Sequence, residues 1–266
     1  MTRRLSILFA ALPLALLLCW SCEKQDFTEP APLELKLSVT ETPAMGGKLE
    51  FGELLMHPSG IEIEGMRSTG SDVFLERDLR ANAIAVGGQP SIHFDIPQGI
   101  YNRLTISLSF DADAETEAEF EDDLEDLLDD LSGGIANLTT EEELGELILD
   151  YLEDDPAFVY SGTYVRAGEE LELLLVINDP FVLNTTAVNG KGSREIALEK
   201  GRGNRASLHF DVNKWFSIVP EALVEKSPVG IADGKKYVLI HKKLNPGLFN
   251  MLYNRIEQYT TLVVNE

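Results

Sequence analysis

The sequence predicts a mainly β fold, an antiparallel β-sandwich interrupted by a helical insert. Two observations carry this. Short segments of alternating apolar and polar residues, separated by Gly and Pro turns, recur on both sides of residues 111–156. Within 111–156 the apolar period changes from two to that of a helix. A third observation bounds how the fold is held. The only cysteines are Cys19 and Cys22, so no disulfide braces the body, and 44% apolar residues must hold it by packing.

The strands follow in order. Leu33, Leu35, Leu37 and Val39 share one face, opposite Glu34, Lys36 and Ser38. After the turn at 42–47, a second strand spans Leu49 to Met56 and a third Ile61 to Met66. Val73–Leu75 and Ile84–Val86 are shorter candidates. Ile92, Phe94 and Ile96 alternate again, and Leu104, Ile106, Leu108 and Phe110 line one face after a Pro-Gln-Gly turn. Past the insert, strands are expected over Phe158–Val165, Leu171–Ile177, Ile196–Leu198, Ala206–Val212 and Tyr237–Ile240.

The helical elements are read from their stripes. Phe120, Leu124, Leu127, Leu128 and Leu131 form one, ended by Ser132-Gly133-Gly134. Thr140 with Glu143 reads as a capping box, followed by a stripe of Leu144, Leu147, Ile148, Tyr151 and Leu152 up to the stop at Pro156. Asn213 to Val224 is a short helix or irregular cap. Asn245-Pro246 opens a terminal helix with Phe249, Leu252, Tyr253 and Ile256 on one side.

The N-terminus is a targeting segment. Arg3 and Arg4 precede a 14-residue apolar run, Leu5 to Leu18, which is too short for a spanning helix. Ser21-Cys22 follows, then Glu23-Lys24-Gln25-Asp26. Ser21 is small enough to precede a cleavage site, and Cys22 would take a lipid there. Residues 1–21 are thus expected to be a signal peptide and 22–32 a tether. The sandwich would be formed by 33–110 and by 157–266 with the terminal helix, with 111–156 as the inserted hairpin.

Charge is concentrated in that insert. Between Asp111 and Asp155 there are 20 acidic residues and no Lys or Arg, in a chain of net charge -23. Such a segment excludes nucleic acid as a partner and suits a basic protein or a divalent cation. Asp111, Asp113 and Glu115 have the spacing that opens a calcium loop, but Thr116 stands where that loop needs Gly. They are low-ranking cation ligands against an acidic solvent face. No metal centre or cofactor is expected: His57, His93, His209 and His241 are scattered without ligand spacing. A Gly-x-Ser-x-Gly nucleophile is absent, and acids are too many for spacing to single out a catalytic pair. Trp215 is the only tryptophan past Cys22. It is a candidate sugar-stacking platform, with core packing as the competing role.

Two resemblances add to this. The segment ending in Ser21-Cys22 with charges behind it resembles bacterial lipoprotein signals, and is similar to those of Bacteroidota-type bacteria. It has Cys19 where the tightest form of that signal has Leu. Ile96-Pro97-Gln98-Gly99-Ile100-Tyr101 between two strands resembles a corner of secreted β-sandwich lipoproteins of unknown function in such bacteria, over about residues 33–110. It implies an immunoglobulin-like or transthyretin-like sandwich and no activity. The expectation is a non-catalytic, outer-membrane-anchored binding or assembly module. A glycan-binding lipoprotein of a nutrient-uptake system is the alternative, and an acid-only hydrolase the more distant one.

Overall fold

The computed structural model describes residues 29–80, 83–111, 114–132 and 138–265. Strand β1 (Pro30–Val39) buries Leu33, Leu35 and Leu37 and turns Glu34, Lys36 and Ser38 outward. It begins inside the stretch read as tether. Pro30, Ala31 and Pro32 pair only with β6 (Ser91–Pro97), opposite Pro97, Ile96 and Asp95. The second neighbour, β12 (Asn204–Phe210), joins at Leu33. Prolines lack the N–H that a strand paired on both sides would need, so they fit where only one side is paired.

The chain continues through β2 (Leu49–Met56), β3 (Gly60–Arg67), β4 (Val73–Asp78), β5 (Ile84–Ala85) and β7 (Gly99–Phe110). Two helices follow, α1 (Ala114–Ser132) and α2 (Leu138–Glu153). Then come β8 (Phe158–Arg166), β9 (Glu169–Ile177), β10 (Phe181–Asn189) and β11 (Ile196–Leu198). After β12 lie α3 (Val212–Phe216), α4 (Glu221–Lys226), β13 (Gly230–Ala232), β14 (Lys235–Ile240), α5 (Pro246–Gln258) and β15 (Thr260–Val264).

The fold is mainly β, in two sheets. The larger runs β4-β3-β7-β10-β15-β12-β1-β6, with β11 also paired to β7; the smaller runs β13-β14-β9-β8-β2-β5. Neither is purely antiparallel, contrary to the expectation. β1 lies parallel to β12, β10 to β15 and β9 to β14. Each of these pairs joins strands far apart in the chain, where the connection is long enough for a parallel crossover. Three strands were not expected at all, among them the three-residue β13. In β10 the inward positions include Thr185 while Val182 points out and is exposed, so the alternation is blurred. β15 is five residues directly behind a helix, too short to separate from its end.

The core has two compartments. Inward residues of both sheets share one cluster that includes Leu35, Leu54, Ile106, Phe158, Leu173 and Leu208. The far face of the small sheet contributes Leu174, Val176, Tyr237 and Leu239 to a second cluster, roofed by Phe120 and Leu124 of α1 and by Leu144, Ile148 and Tyr151 of α2. The layers are therefore large sheet, small sheet and helical hairpin. Strand β9 is covered on both faces, which is why it holds the longest apolar run past residue 22.

Three local devices fix this arrangement. At the corner before β7, the buried Tyr101 hydroxyl donates to the Pro97 carbonyl, and Gly99 has φ +150°. The large sheet curls until its edge strands approach. Arg77 of β4 donates to the His93 carbonyl of β6 at 2.8 Å, with its guanidinium 4.5 Å from the Phe94 ring centre. Finally, α2 lies backbone against backbone on β13. A Cβ on Gly145 would fall 2.3 Å from the Ile231 carbonyl carbon, and one on Gly230 would fall 2.8 Å from the Gly145 nitrogen.

The Gly145 contact has a measurable consequence. Gly145→Ala is expected to push the helix off the strand and destabilise the protein by about 1–3 kcal/mol, as overpacking does. A Cβ on Gly203 meets nothing within 4 Å, so Gly203→Ala should stay within about 0.5 kcal/mol. Chemical denaturation midpoints of the two variants check this, and equal midpoints would refute it.

Candidate functional site

The densest polar cluster joins the hairpin to the small sheet. Helix α1 presents Glu117, Phe120, Glu121 and Leu124 at the three- and four-residue spacings of one face. Glu117 thus continues the apolar stripe by one turn, but with a carboxylate. Opposite it, β14 ends in Ile240 and the chain delivers His241, Lys242 and Lys243. β9 ends nearby in Ile177, followed by Asn178 and Asp179.

Glu117 is 7% exposed and His241 1%. The Glu117 carboxylate accepts from His241 Nε2 at 3.1 Å, from Lys242 Nζ at 2.9 Å and from the Tyr151 hydroxyl at 2.5 Å. The amide of Lys243 donates to His241 Nδ1 at 3.3 Å. With Nδ1 accepting from that amide, Nε2 is the ring nitrogen that donates to the carboxylate. Lys242 Nζ also reaches Asp179 at 2.6 Å and Glu121 at 3.0 Å, and Lys243 pairs with Glu121 at 3.2 Å. The Phe120 ring stacks on Tyr151 with centroids 3.9 Å apart and meets His241 edge-on at 5.0 Å.

The electrostatics follow from this packing. Burial alone would raise the Glu117 carboxyl, but hydrogen bonds from His241, Tyr151 and Lys242 outweigh it and hold it at about 2. Burial would lower Lys242, yet its bonds to Asp179, Glu117 and Glu121 push it up. Tyr151 is raised by burial and by the Glu117 carboxylate. Glu117, Lys242 and Tyr151 are thus held in their ordinary charge states at neutral pH by their partners. The cluster clamps the hairpin to the small sheet.

The residues singled out from the sequence lie elsewhere. Trp215, in α3, is 0% exposed and packs with Phe158, Tyr160 and Phe210 at ring distances of 6.2–6.3 Å. The exposed stacking platform expected of a sugar-binding tryptophan is not formed there. Its Nε1, like the Tyr160 hydroxyl, has no hydrogen-bond partner. Asp111 is exposed and pairs with Arg80 at 3.3 Å. Glu115 is exposed in the first turn of α1, and Asp113 lies outside the described residues. A helix starting at Ala114 ends the every-second-residue spacing that suggested a calcium loop. Among the described residues, no group of three or more His, Cys, Asp or Glu is placed to hold a metal ion. Cys22 and the expected signal peptide, residues 1–21, also lie outside the described residues. Helix α2 begins at Leu138, so Thr140 is inside it rather than capping it. His209 hydrogen-bonds Ser38 and Thr40 on the outer face of the large sheet, each at 3.0 Å.

The clamp was missed because it draws on Glu117, one of 20 acids in its segment, and on a histidine with no ligand spacing. The available signal was the stripe itself: extended one turn upstream from Phe120, it lands on Glu117. Among known proteins, no family model, no curated protein and no solved structure matches this chain.

The clamp is expected to be pH-dependent with a definite sign. The folded carboxyl of Glu117 lies below its ordinary 4.5, so its contribution is complete above about pH 4.5 and is lost as pH falls towards 2. Glu117→Gln leaves the half-buried Lys242 short of one of three carboxylate partners and weakens the bonds from His241 and Tyr151, and should cost about 2 kcal/mol at pH 7. The gap between wild type and variant should then narrow from pH 4.5 downwards. Thermal melts at stepped pH read it, and a gap that stays constant would contradict the assignment.

Proposed function

We propose that this protein is a non-catalytic lipoprotein of the bacterial cell envelope, anchored by a lipid on Cys22 to the outer membrane, which binds or assembles other envelope components. The observation that carries the reading is the N-terminal segment: two arginines, a 14-residue apolar run, then Ser21-Cys22 and a charged stretch. The structure adds a length. β1 begins at Pro30, so eight residue steps separate it from Cys22, at most about 28 Å of chain. A body so tethered works close to a bilayer.

For the fold we propose a β-sandwich of immunoglobulin-like or transthyretin-like kind. It is supported by one apolar cluster shared between the inner faces of two sheets, and by the Tyr101 hydroxyl tied back across its corner. The acidic outward face of the hairpin suits a basic protein partner. The glycan-binding alternative depended on an exposed Trp215 and is not carried further.

The anchor is tested by the mass of the N-terminal peptide of membrane-extracted protein, with Cys22→Ala beside wild type. A peptide starting at acylated Cys22, absent from the variant, is expected. An unmodified N-terminus at another position would overturn the proposal.

A further inference from the structure

We propose that the end of the large sheet nearest Cys22 is a membrane-contacting face whose basic loops take the phosphates of anionic lipid headgroups. The inference rests on the Cys22 anchor proposed above and concerns how the body is turned on it.

Register gathers the relevant loops at one end. Pro30 lies opposite Pro97, Leu33 opposite Asn204, and Gly99 opposite Leu198. Val264 lies opposite both Asn189 and Ala206. The tether enters the same end and is fixed there. The Glu29 carbonyl accepts from the Gln98 amide at 3.0 Å, and the Glu29 carboxylate pairs with Lys200 at 2.9 Å.

The loops at this end span 67–72, 97–99, 189–195 and 199–205. With Glu29 they carry six bases, Arg67, Lys191, Arg194, Lys200, Arg202 and Arg205, against four acids, in a chain with 45 acids and 22 bases. Their ion pairs lie at the surface: Arg202 with Glu199 at 3.4 Å, on side chains 67% and 58% accessible, Lys200 with Glu29, and Arg205 with Glu34 of β1 at 3.5 Å, while Arg67 is half-buried and donates to the Gln98 carbonyl. Pairs of this kind are weak and readily exchanged for a phosphate. Lys191 and Arg194 stand exposed on a loop of small residues, Gly190, Gly192 and Ser193.

The acidic hairpin leaves from the opposite end of the same sheet. β7 runs from Gly99, at the tether end, to Phe110, immediately before Asp111. Twelve residues of strand span about 37 Å, several Debye lengths at physiological salt. The hairpin then packs on the face of the small sheet turned away from the large one. A tether of at most about 28 Å therefore presents the basic end to the bilayer, and an anionic leaflet holds the hairpin outward.

The chain from Cys22 onward contains a single cysteine, so it can be coupled through Cys22 to a maleimide lipid in vesicles without any cellular lipidation. Amide hydrogen exchange is then followed by mass spectrometry on vesicles of phosphatidylcholine alone or with added phosphatidylglycerol. Segments 190–194 and 200–203 should exchange several-fold more slowly on the anionic vesicles. That slowing should vanish at high salt and in a Lys191→Glu, Arg194→Glu, Arg202→Glu variant whose exchange elsewhere is unchanged. Equal exchange on both vesicle types, slowing that survives the charge reversal, or slowing confined to the hairpin would overturn the proposal. The N-terminal peptide mass decides the anchor separately, so the two failures cannot be confused.

Discussion

The buried carboxylate of Glu117 is the constraint on which the outer layer of this protein depends. A helical pair carrying 16 acids and no bases repels itself and would not persist alone. It is held by an apolar stripe over the small sheet and by one charge carried into that interface. The carboxylate is tolerable there because each of its oxygens finds a donor, from His241, Lys242 and Tyr151. The same contact covers the second face of β9, so the strongest apolar strand of the body is dry on both sides only while the hairpin is docked. The close approach of Gly145 to β13 lets α2 lie directly on the edge of the same sheet.

Much of the architecture was legible from period alone. Strands with Leu33, Leu35 and Leu37 or Leu104, Ile106 and Leu108 on one face declare themselves, because one face is buried and the other is wet. The helical stripes of the insert did so for the same reason. β10 was hidden where the rule weakens: an exposed Val182 and a buried Thr185 invert the expected polarity at two positions of one strand. Direction was not legible either. Nothing in an alternating segment says whether its neighbour runs parallel, and three ladders here do.

The polar cluster shows a different limit. Sequence arguments about catalysis or metals look for spacing along the chain, whereas His241 and Glu117 are 124 residues apart and meet through tertiary packing. Trp215 shows the converse. A large aromatic at a strand-to-helix junction is compatible with a ligand platform or a core plug. Only the surrounding rings of Phe158, Tyr160 and Phe210 decide for the plug.

The place of β15 has a consequence for how the chain comes together. It occupies the middle of the large sheet, between β10 and β12, yet it is made after every other strand described. Until it emerges, β10 and β12 have no partner between them, and the large sheet is two halves with open edges. Folding of this sheet is therefore completed only once residues 260–264 have joined it. A chain without β15 holds two half-sheets in place of one curled wall, and it acquires its lasting shape only when that strand slides in.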